Sequence, residues 1–495
     1  MALNVIIASP EAIPFAKTGG LADVAGALPA ALKKLGCRVA LFMPLYREVR
    51  DKGFKAESTG ISLNIPLGRR TITAELFRGE NRGIPVYFIK RDEYFDRTYL
   101  YTTPDGDYFD NLERFTFFSR ALIEAAVALN LRPDVIHCND WQTGLVPAYI
   151  KSIYAPSFHQ TATLFTIHNI AYQGLFPTSF FDVTGLPSGI YNPEGIEYWG
   201  KMNLLKSGIV YSDIVTTVSE GYSREIQTPE FGCGLDGILK KRSGSLFGVL
   251  NGVDYSEWNP ETDPFIAKNY SSADLGGKSA CKKDILKEYS LDITPAEPLI
   301  GIISRLADQK GFDILSEAMD EIMGLPLGMV VLGTGEKKYH QLFEKLSKKY
   351  PGKLGVKVKF DNSLAHKIEA GCDIFLMPSR YEPCGLNQMY SLRYGTIPVV
   401  RKTGGLDDTI RDYAGGAGNG FKFAEYSPPA LVNKVKEALG VYNERKAWEK
   451  LEKKAMQEDF SWNMSAKRYV ELYNLAVKNK RKEPVPETPF KKTAN

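Results

Sequence analysis

Met377-Pro378-Ser379-Arg380-Tyr381-Glu382-Pro383-Cys384-Gly385-Leu386 is the stretch on which the reading of this chain turns. Before it, Asp373-Ile374-Phe375-Leu376-Met377 is a short apolar run of strand length. After it, Leu386 to Tyr394 spaces Leu386, Met389, Tyr390 and Leu392 as a helix does, and Gly395 is a natural stop. Strand, polar loop and helix put the loop at the carboxyl end of a strand, where open α/β sheets bind ligands. Pro383 fits a helix start, so the amides of Cys384 to Asn387 are expected as first-turn donors for an anion or a sugar hydroxyl. Glu382 then has two readings: a carboxylate at the edge of a ligand site, or a cap of that helix.

The same grammar extends outward in both directions. In this half, Leu299 to Ser304 is a strand leading to Arg305-Leu306-Ala307-Asp308-Gln309-Lys310-Gly311. Met329 to Leu332 leads to Gly333-Thr334-Gly335, Val356 to Phe360 reads as a further strand, and Ile397 to Val400 leads to Lys402-Thr403-Gly404-Gly405-Leu406. The first half opens with the strand Asn4 to Ser9 and a helix from Gly20 to Leu35, closed by Gly36. Between them lies Lys17-Thr18-Gly19-Gly20-Leu21-Ala22-Asp23, whose glycines let the backbone approach a phosphate closely while Lys17 adds charge. Pro133 to Cys138 is a strand before Asn139-Asp140-Trp141-Gln142, and Ala162 to Ile167 one before His168-Asn169. Asn251-Gly252-Val253-Asp254 ends that half. The repeat of Lys-Thr-Gly-Gly-Leu at 17 and 402 is compatible with two similar halves and carries no more than that.

Three further stretches complete the pass. Residues 86 to 118 are rich in aromatics, which suit core packing for the most part and sugar stacking for the remainder. The polar segment 254 to 298, with prolines at 260, 264, 295 and 298, reads as an inter-domain connection and a hinge, with a second crossing near 455 to 465. The tail from Lys478, with alternating lysine and proline, is expected to be disordered.

Composition narrows the class. With 495 residues, 44% of them hydrophobic, the chain can fill more than one core. A net charge of +4 gives no reason to expect nucleic acid or an anionic membrane. The opening residues read as a first strand, not a signal peptide, and no run approaches the ~18 apolar residues of a membrane span. Six scattered cysteines without a C-x-x-C pair point to a reducing, cytoplasmic compartment. Five histidines without ligand spacing give no metal site, and no cofactor is expected.

Two doubly wound α/β domains facing across a deep cleft would offer two rims. The first holds Lys17, Gly19, Gly20, Asp140, His168 and Asn169; the second holds Arg305, Lys310, Gly335 and Glu382. Two cations five residues apart in one loop suit a diphosphate, each worth about 4 kcal/mol at ~4 Å before desolvation. No P-loop pattern is present, so protein groups would meet the charge of a leaving diphosphate. The plain alternatives are a solvated loop for Arg305 and Lys310 and a satisfied strand-end histidine for His168.

Taken together, six ordered motifs resemble those of the bacterial glycogen synthase and plant starch synthase family, retaining glucosyltransferases of the GT-B fold. They are Lys17–Asp23, Asn139-Asp140-Trp141, His168–Gly174, Asn251–Asp254, Ser304–Leu306 with Gln309–Gly311, and Glu382–Leu386, and the resemblance runs from residue 5 to about 475. It implies transfer of glucose from ADP-glucose to the non-reducing end of an α-1,4-glucan such as glycogen. It further implies an acceptor-side domain 1–253, with a helix at about 460–477 packing back on it, a nucleotide-sugar domain 254–459 and a disordered tail 478–495.

Carried over residue by residue, the resemblance has Arg305 and Lys310 stabilise the leaving diphosphate with Lys17 and the amides of Gly19 and Gly20. Glu382 and the amides of Cys384, Gly385 and Leu386 bind glucose, Gly335 and Asn251 join the donor site, and Asp23, Asp140, Trp141, Gln142 and Asn169 position glucose and acceptor. His168 stands beside the anomeric carbon. Phe360 takes the place of a tyrosine that stacks on adenine. Cys384, at a helix start, is expected to carry an activated thiol. In two places the chain departs from related sequences: Gln142 replaces a histidine common in the family, and Tyr390 stands where the wider superfamily often has a second glutamate. The competing readings are a retaining transferase with a different donor or acceptor, and an inactive glucan-binding homologue.

Overall fold

The computed structural model of the chain describes residues 2–103 and 106–482. Contacts divide these into two units: residues 2–218, 223–252 and 462–482 in the first, 219–222 and 253–461 in the second.

The first unit is built on a sheet whose parallel strands, unlike its edge hairpin, are buried along most of their length. Ala162–Ile167, for example, is buried at every position, as expected of a parallel strand covered on both faces. The strand order is Leu246–Gly248, Ile214–Thr217, Ala162–Ile167, Val135–Asn139, Asn4–Ala8, Arg38–Pro44, Ile84–Lys90, Arg70–Asn81, Glu57–Leu67. The last two form an antiparallel hairpin at one edge, which joins Ile84–Lys90 antiparallel as well; the remaining pairs are parallel. The strand that comes first in the chain is therefore central, with later strands added on both sides. The order reverses between Asn4–Ala8 and Val135–Asn139, the place where doubly wound sheets open a crevice for ligands.

The second unit repeats this plan with parallel strands alone among the described residues. Its order is Leu354–Lys357, Gly328–Leu332, Leu299–Ile303, Ile374–Met377, Ile397–Arg401, Phe421–Phe423. Here the reversal lies between Leu299–Ile303 and Ile374–Met377. The helix Phe312–Met323 covers one face, burying Phe312, Leu315, Met319 and Ile322 at helical spacing.

The terminal helix Trp462–Lys480 belongs to the first unit. Its buried stripe, Ala466, Tyr469, Leu472, Tyr473 and Ala476, has the spacing of one helical face. Tyr473 reaches the buried Nδ1 of His137 at 2.8 Å, and Ser465 Oγ donates to the Leu250 carbonyl. Lys478 to Lys480 are helical, which moves the end of the helix past residue 477; residues 483–495, the rest of the expected disordered tail, lie outside the described residues.

The largest departure from the sequence reading is the segment 254 to 298. It is no connector but part of the second unit's core. Trp258 lies stacked between His366 at 3.8 Å and Tyr390 at 4.0 Å. The helix Gly276–Glu288 buries Cys281 and Ile285. Two of its lysines are buried and paired: Lys278 Nζ donates to the carbonyls of Ala370 and Tyr394 and to Thr396, and Lys282 pairs with Asp373 at 2.6 Å. Polar composition signals a linker only when the polar groups reach water, and here they are buried and paired. Apart from the short excursion of residues 219–222, the chain passes between units at Gly252–Val253 and again at Ser461–Trp462.

Candidate functional site

In the first unit, the loops that follow the two strands at the reversal, and the next strand beyond it, carry the candidate residues. Asp140 ends the strand Val135–Asn139 with φ 55°, a conformation that costs a residue with a side chain about 1–3 kcal/mol. Its amide donates to the Thr166 carbonyl at 3.0 Å, and its carboxylate accepts the His168 amide at 2.7 Å and that of Asn169. Burial pushes this carboxyl up to about 7, against the pull of those two amides. His168 is buried, which pushes its imidazole down to about 3 and keeps it neutral. Asn139 Nδ2 donates to the Ala8 carbonyl, so its Oδ1 accepts from His168 Nε2 at 2.9 Å and fixes the ring. Asn139 thus ties the first, fourth and fifth parallel strands together at one end.

Lys17 pairs with Asp23 at 2.7 Å across the start of the helix Gly20–Lys34. Burial raises the Asp23 carboxyl, and Lys17 works against that rise. Gly19 and Gly20 open this helix, and no side chain caps it among the described residues. Trp141 is buried edge-on to Phe115, with Gly174 packed on its ring. Asn169 Oδ1 accepts the Ala171 amide. Gln142 Oε1 and Asn251 Oδ1 are buried without a hydrogen-bond partner among the described residues.

In the second unit, the loops after Leu299–Ile303 and Ile374–Met377 are fastened to each other. Arg380 N donates to the Gln309 carbonyl at 2.8 Å, and Gln309 Nε2 donates to the Tyr381 carbonyl at 3.2 Å. Gly311 has φ 74°, and a Cβ there would fall 1.9 Å from the Pro378 carbonyl. This clamp brings Lys310 Nζ to 2.6 Å from Glu382, whose carboxylate also accepts from Ser379 Oγ at 3.1 Å. Arg305 is exposed on the same loop. Gly335 bridges to Leu306, where a Cβ would meet the Leu306 carbonyl at 2.3 Å, and its amide donates to His340.

Several sequence expectations need correction here. The helix after Glu382 spans Asn387–Arg393, so Pro383 does not open it and Glu382 does not cap it. Cys384, Gly385 and Leu386 form a turn ahead of the helix, with Gly385 at φ 70°. Cys384 is buried and not at a helix start, which removes the basis for an activated thiol; Cys233 is the exposed cysteine. The strand expected at 356–360 is Leu354–Lys357, and Phe360 lies beyond it, 78% exposed, so it is not a core residue. The strand expected at 133–138 is Val135–Asn139. In the aromatic stretch, Phe88, Tyr94, Phe95 and Phe115 are buried while Tyr99 and Phe109 are exposed. Tyr390 is committed to the stack on Trp258.

Sequence reasoning passed over four residues that shape these loops. Glu11, buried in the loop after the first strand, accepts both the amide and the hydroxyl of Thr18. Asn139 and Ser379 hold His168 and Glu382, as described. Gln388 Nε2 donates to the carbonyls of Cys384 and Gly385. For Glu11, Asn139 and Ser379 the available signal was position, at or within a few residues of a strand end; Gln388, inside the helix Asn387–Arg393, had none. Among the described residues no group of three or more His, Cys, Asp or Glu is placed to hold a metal ion, and no helix is long and apolar enough to cross a membrane.

Comparison with known proteins gives this geometry its family. Residues 4–241 match the model of the starch synthase catalytic domain, and residues 287–455 that of glycosyl transferases group 1. The chain is 48% identical to the glycogen synthase of Koribacter versatilis over 98% of its own length and 100% of the relative's. It is 46% identical to that of Thermosipho melanesiensis over 96% and 99%. Among solved structures, the catalytic domain of starch synthase IV from Arabidopsis thaliana, bound to ADP and acarbose, superposes with a TM-score of 0.89 at 33% identity, over 97% of this chain and 100% of that one. A sucrose-phosphate synthase from Thermosynechococcus elongatus shares the fold, with a TM-score of 0.60 at 16% identity. The two doubly wound units are those of a GT-B glycosyltransferase, and the chain belongs to the family of bacterial glycogen synthases and plant starch synthases.

Proposed function

We propose that this chain transfers glucose from ADP-glucose to the non-reducing end of an α-1,4-glucan, with retention of anomeric configuration. The observation that carries the reading is the Lys310–Glu382 pair at the strand-order reversal of the second unit, with Arg305 on the same loop as Lys310. An ammonium has three donors, so Lys310 can keep Glu382 and still donate to a phosphate oxygen. Arg305 and Lys310 meet the charge that grows on the diphosphate as the glucosyl C1–O bond breaks. Lys17 and the uncapped amides at Gly19 and Gly20 add to that charge stabilisation.

Glu382 binds glucose hydroxyls, with the turn Cys384–Leu386 beside it, and Gly335 and Asn251 complete the donor contacts. Attack by the acceptor hydroxyl from the face the diphosphate leaves gives retention, and the departing phosphate oxygen takes the hydroxyl proton. His168, neutral at physiological pH, serves here through its backbone carbonyl beside the developing oxocarbenium ion. Asp140 holds the His168 and Asn169 amides and so sets that carbonyl's direction. Asp23, Trp141, Gln142 and Asn169 position glucose and acceptor; the unpartnered Gln142 Oε1 suits a sugar hydroxyl. Six free cysteines suit a cytoplasmic site of action.

The test is release of ADP or UDP from each nucleotide glucose, with and without glycogen. Glycogen-dependent ADP release is the expected result. Faster UDP release would move the donor to UDP-glucose; the ring hydroxyl missing at Phe360 leaves adenine with one fewer hydrogen bond to select it. No release from either donor would leave a glucan-binding homologue.

A further inference from the structure

We propose that Glu11 is a positioning residue for donor transfer: its carboxyl fixes the Lys17–Gly20 turn, through both polar groups of Thr18, in the shape that admits a phosphate. This rests on the donor reading given above and adds a residue to it.

The segment before the turn is rigidly held. Ser9 N donates to the Phe42 carbonyl at 3.0 Å and Ser9 Oγ to that of Glu11 at 2.6 Å. Ile13 N donates to the Ala22 carbonyl on the helix Gly20–Lys34, and Asn81 Nδ2 bridges the Ile13 and Gly26 carbonyls. Gly26 permits this contact, because a Cβ there would fall 2.3 Å from the Ile13 side chain. Glu11 grows from this fixed base and is 3% exposed. Its Oε2 takes Thr18 N at 2.5 Å and Thr18 Oγ1 at 2.7 Å. The two bonds define both the position and the twist of Thr18, and with it the neighbouring Lys17 and Gly19. A Cβ on Gly19 would have nothing nearer than Glu11 Oε1 at 4.0 Å, so this side of the turn is open.

A carboxylate behind a phosphate-binding turn would ordinarily oppose the ligand. Burial pushes the Glu11 carboxyl up to about 8, with Asp23 and Asp140 adding to the rise and the Thr18 bonds opposing it. At neutral pH it holds Thr18 without setting a full negative charge against a diphosphate. Glutamine has the same shape and is neutral at every pH, so it reproduces this state.

The experiment compares Glu11→Gln, Glu11→Ala and Thr18→Val with the wild type, in ADP-glucose and glycogen saturation and in thermal melts. A misplaced binding group costs about 10²-fold, so Glu11→Ala should lower kcat/KM for ADP-glucose by about that factor while the glycogen KM holds. Thr18→Val, which keeps the amide bond, should lose about tenfold, and Glu11→Gln less than about threefold. Glu11→Gln as damaged as Glu11→Ala would overturn the proposal, since an ionised carboxylate would then be required. So would wild-type donor kinetics in folded Glu11→Ala, or a fall in kcat no larger than the unfolded fraction that the melts show, with both KM values unmoved. If Glu11→Ala does not fold, Thr18→Val and Glu11→Gln decide on the same criteria. Wild-type turnover tests the donor itself; should another nucleotide sugar prove to be the substrate, the variant ratios are read with that donor.

Discussion

Replacing Lys310 by alanine strips a cation from a carboxylate that has little access to water. The Glu382 side chain is 7% exposed and that of Lys310 18%, with 2.6 Å between them. At an effective dielectric near 20 the bare attraction at this distance is about 6 kcal/mol, and desolvation of both groups offsets much of it. Breaking a buried pair from one side costs about 3–5 kcal/mol. Ser379 Oγ still holds the carboxylate at 3.1 Å, so the lower end, about 3 kcal/mol, is expected for Lys310→Ala. In a unit of this size that is a fall of roughly 6–12 °C in Tm.

Turnover should fall more steeply, by about 10²–10³-fold, if Lys310 meets, as proposed, charge that grows toward the transition state. The two effects separate in the double variant Lys310→Ala, Glu382→Gln. A neutral amide needs no cation, so most of the lost stability should return, with a coupling of about 2 kcal/mol, while turnover stays low. Urea melts and donor saturation on the four proteins of the cycle measure both. Stability changes that add to within about 0.5 kcal/mol would mean that the pair is not formed in the donor-free enzyme. A Lys310→Ala enzyme that lost donor affinity but kept its turnover number would refute the catalytic role.

Three other outcomes are expected. Phe360→Ala should melt as the wild type does, since the ring is 78% exposed, yet bind donor ~5- to 150-fold more weakly if the ring stacks on the base; unchanged donor saturation would remove Phe360 from the site. Gly19→Ala should fold normally and weaken the donor, whereas Gly405→Ala, with its Cβ 2.1 Å from the Cys384 carbonyl, should lose about 1–3 kcal/mol of stability and activity with it; equal melts for the two would show the packing to be looser than described. Burial pushes both His137 and His168 down to about 3, so their ring NMR signals should stay those of neutral imidazole at pH 5. Unfolding below pH ~6.5 lets each take up a proton, so both remove stability as pH falls from 6.5 toward 3; titration of either near 6.5 in the folded chain would contradict their burial.

The legible part of this chain was its grammar of strand ends. Apolar runs such as Ile374–Met377 and Ala162–Ile167 declare buried parallel strands, and polar residues directly after them declare the ligand edge. Three kinds of feature were not legible. Buried lysines such as Lys278 look like solvent-facing charge until their acceptors, the carbonyls of Ala370 and Tyr394, are in place. The start of the helix Asn387–Arg393 depends on Gly385 taking φ 70° and on Gln388 reaching back to two carbonyls, both tertiary facts. Glu11 reads as one acid in a loop, and only the folded loop turns it toward Thr18. Local pattern fixes where a loop begins, while long-range hydrogen bonds decide which of its residues face inward.

The repeated Lys-Thr-Gly-Gly-Leu string makes the same point sharply. Both copies follow a strand and open a helix, Gly20–Lys34 in one case and Gly404–Thr409 in the other. The first follows the strand at the order reversal, and a Cβ on Gly19 would meet nothing closer than 4.0 Å. The second follows Ile397–Arg401, one strand beyond Ile374–Met377. There Gly405 is buried against Cys384, and its amide donates to the Glu382 carbonyl at 3.0 Å. Gly19 leaves an approach open in the first copy; Gly405 in the second closes a contact between two stretches of backbone. The phosphate role proposed for residues 17–21 therefore does not carry over to Gly405, whose amide is already committed. What the second copy does instead is hold the turn that carries Glu382, so any effect of Gly405 on the transfer proposed here would run through that carboxylate.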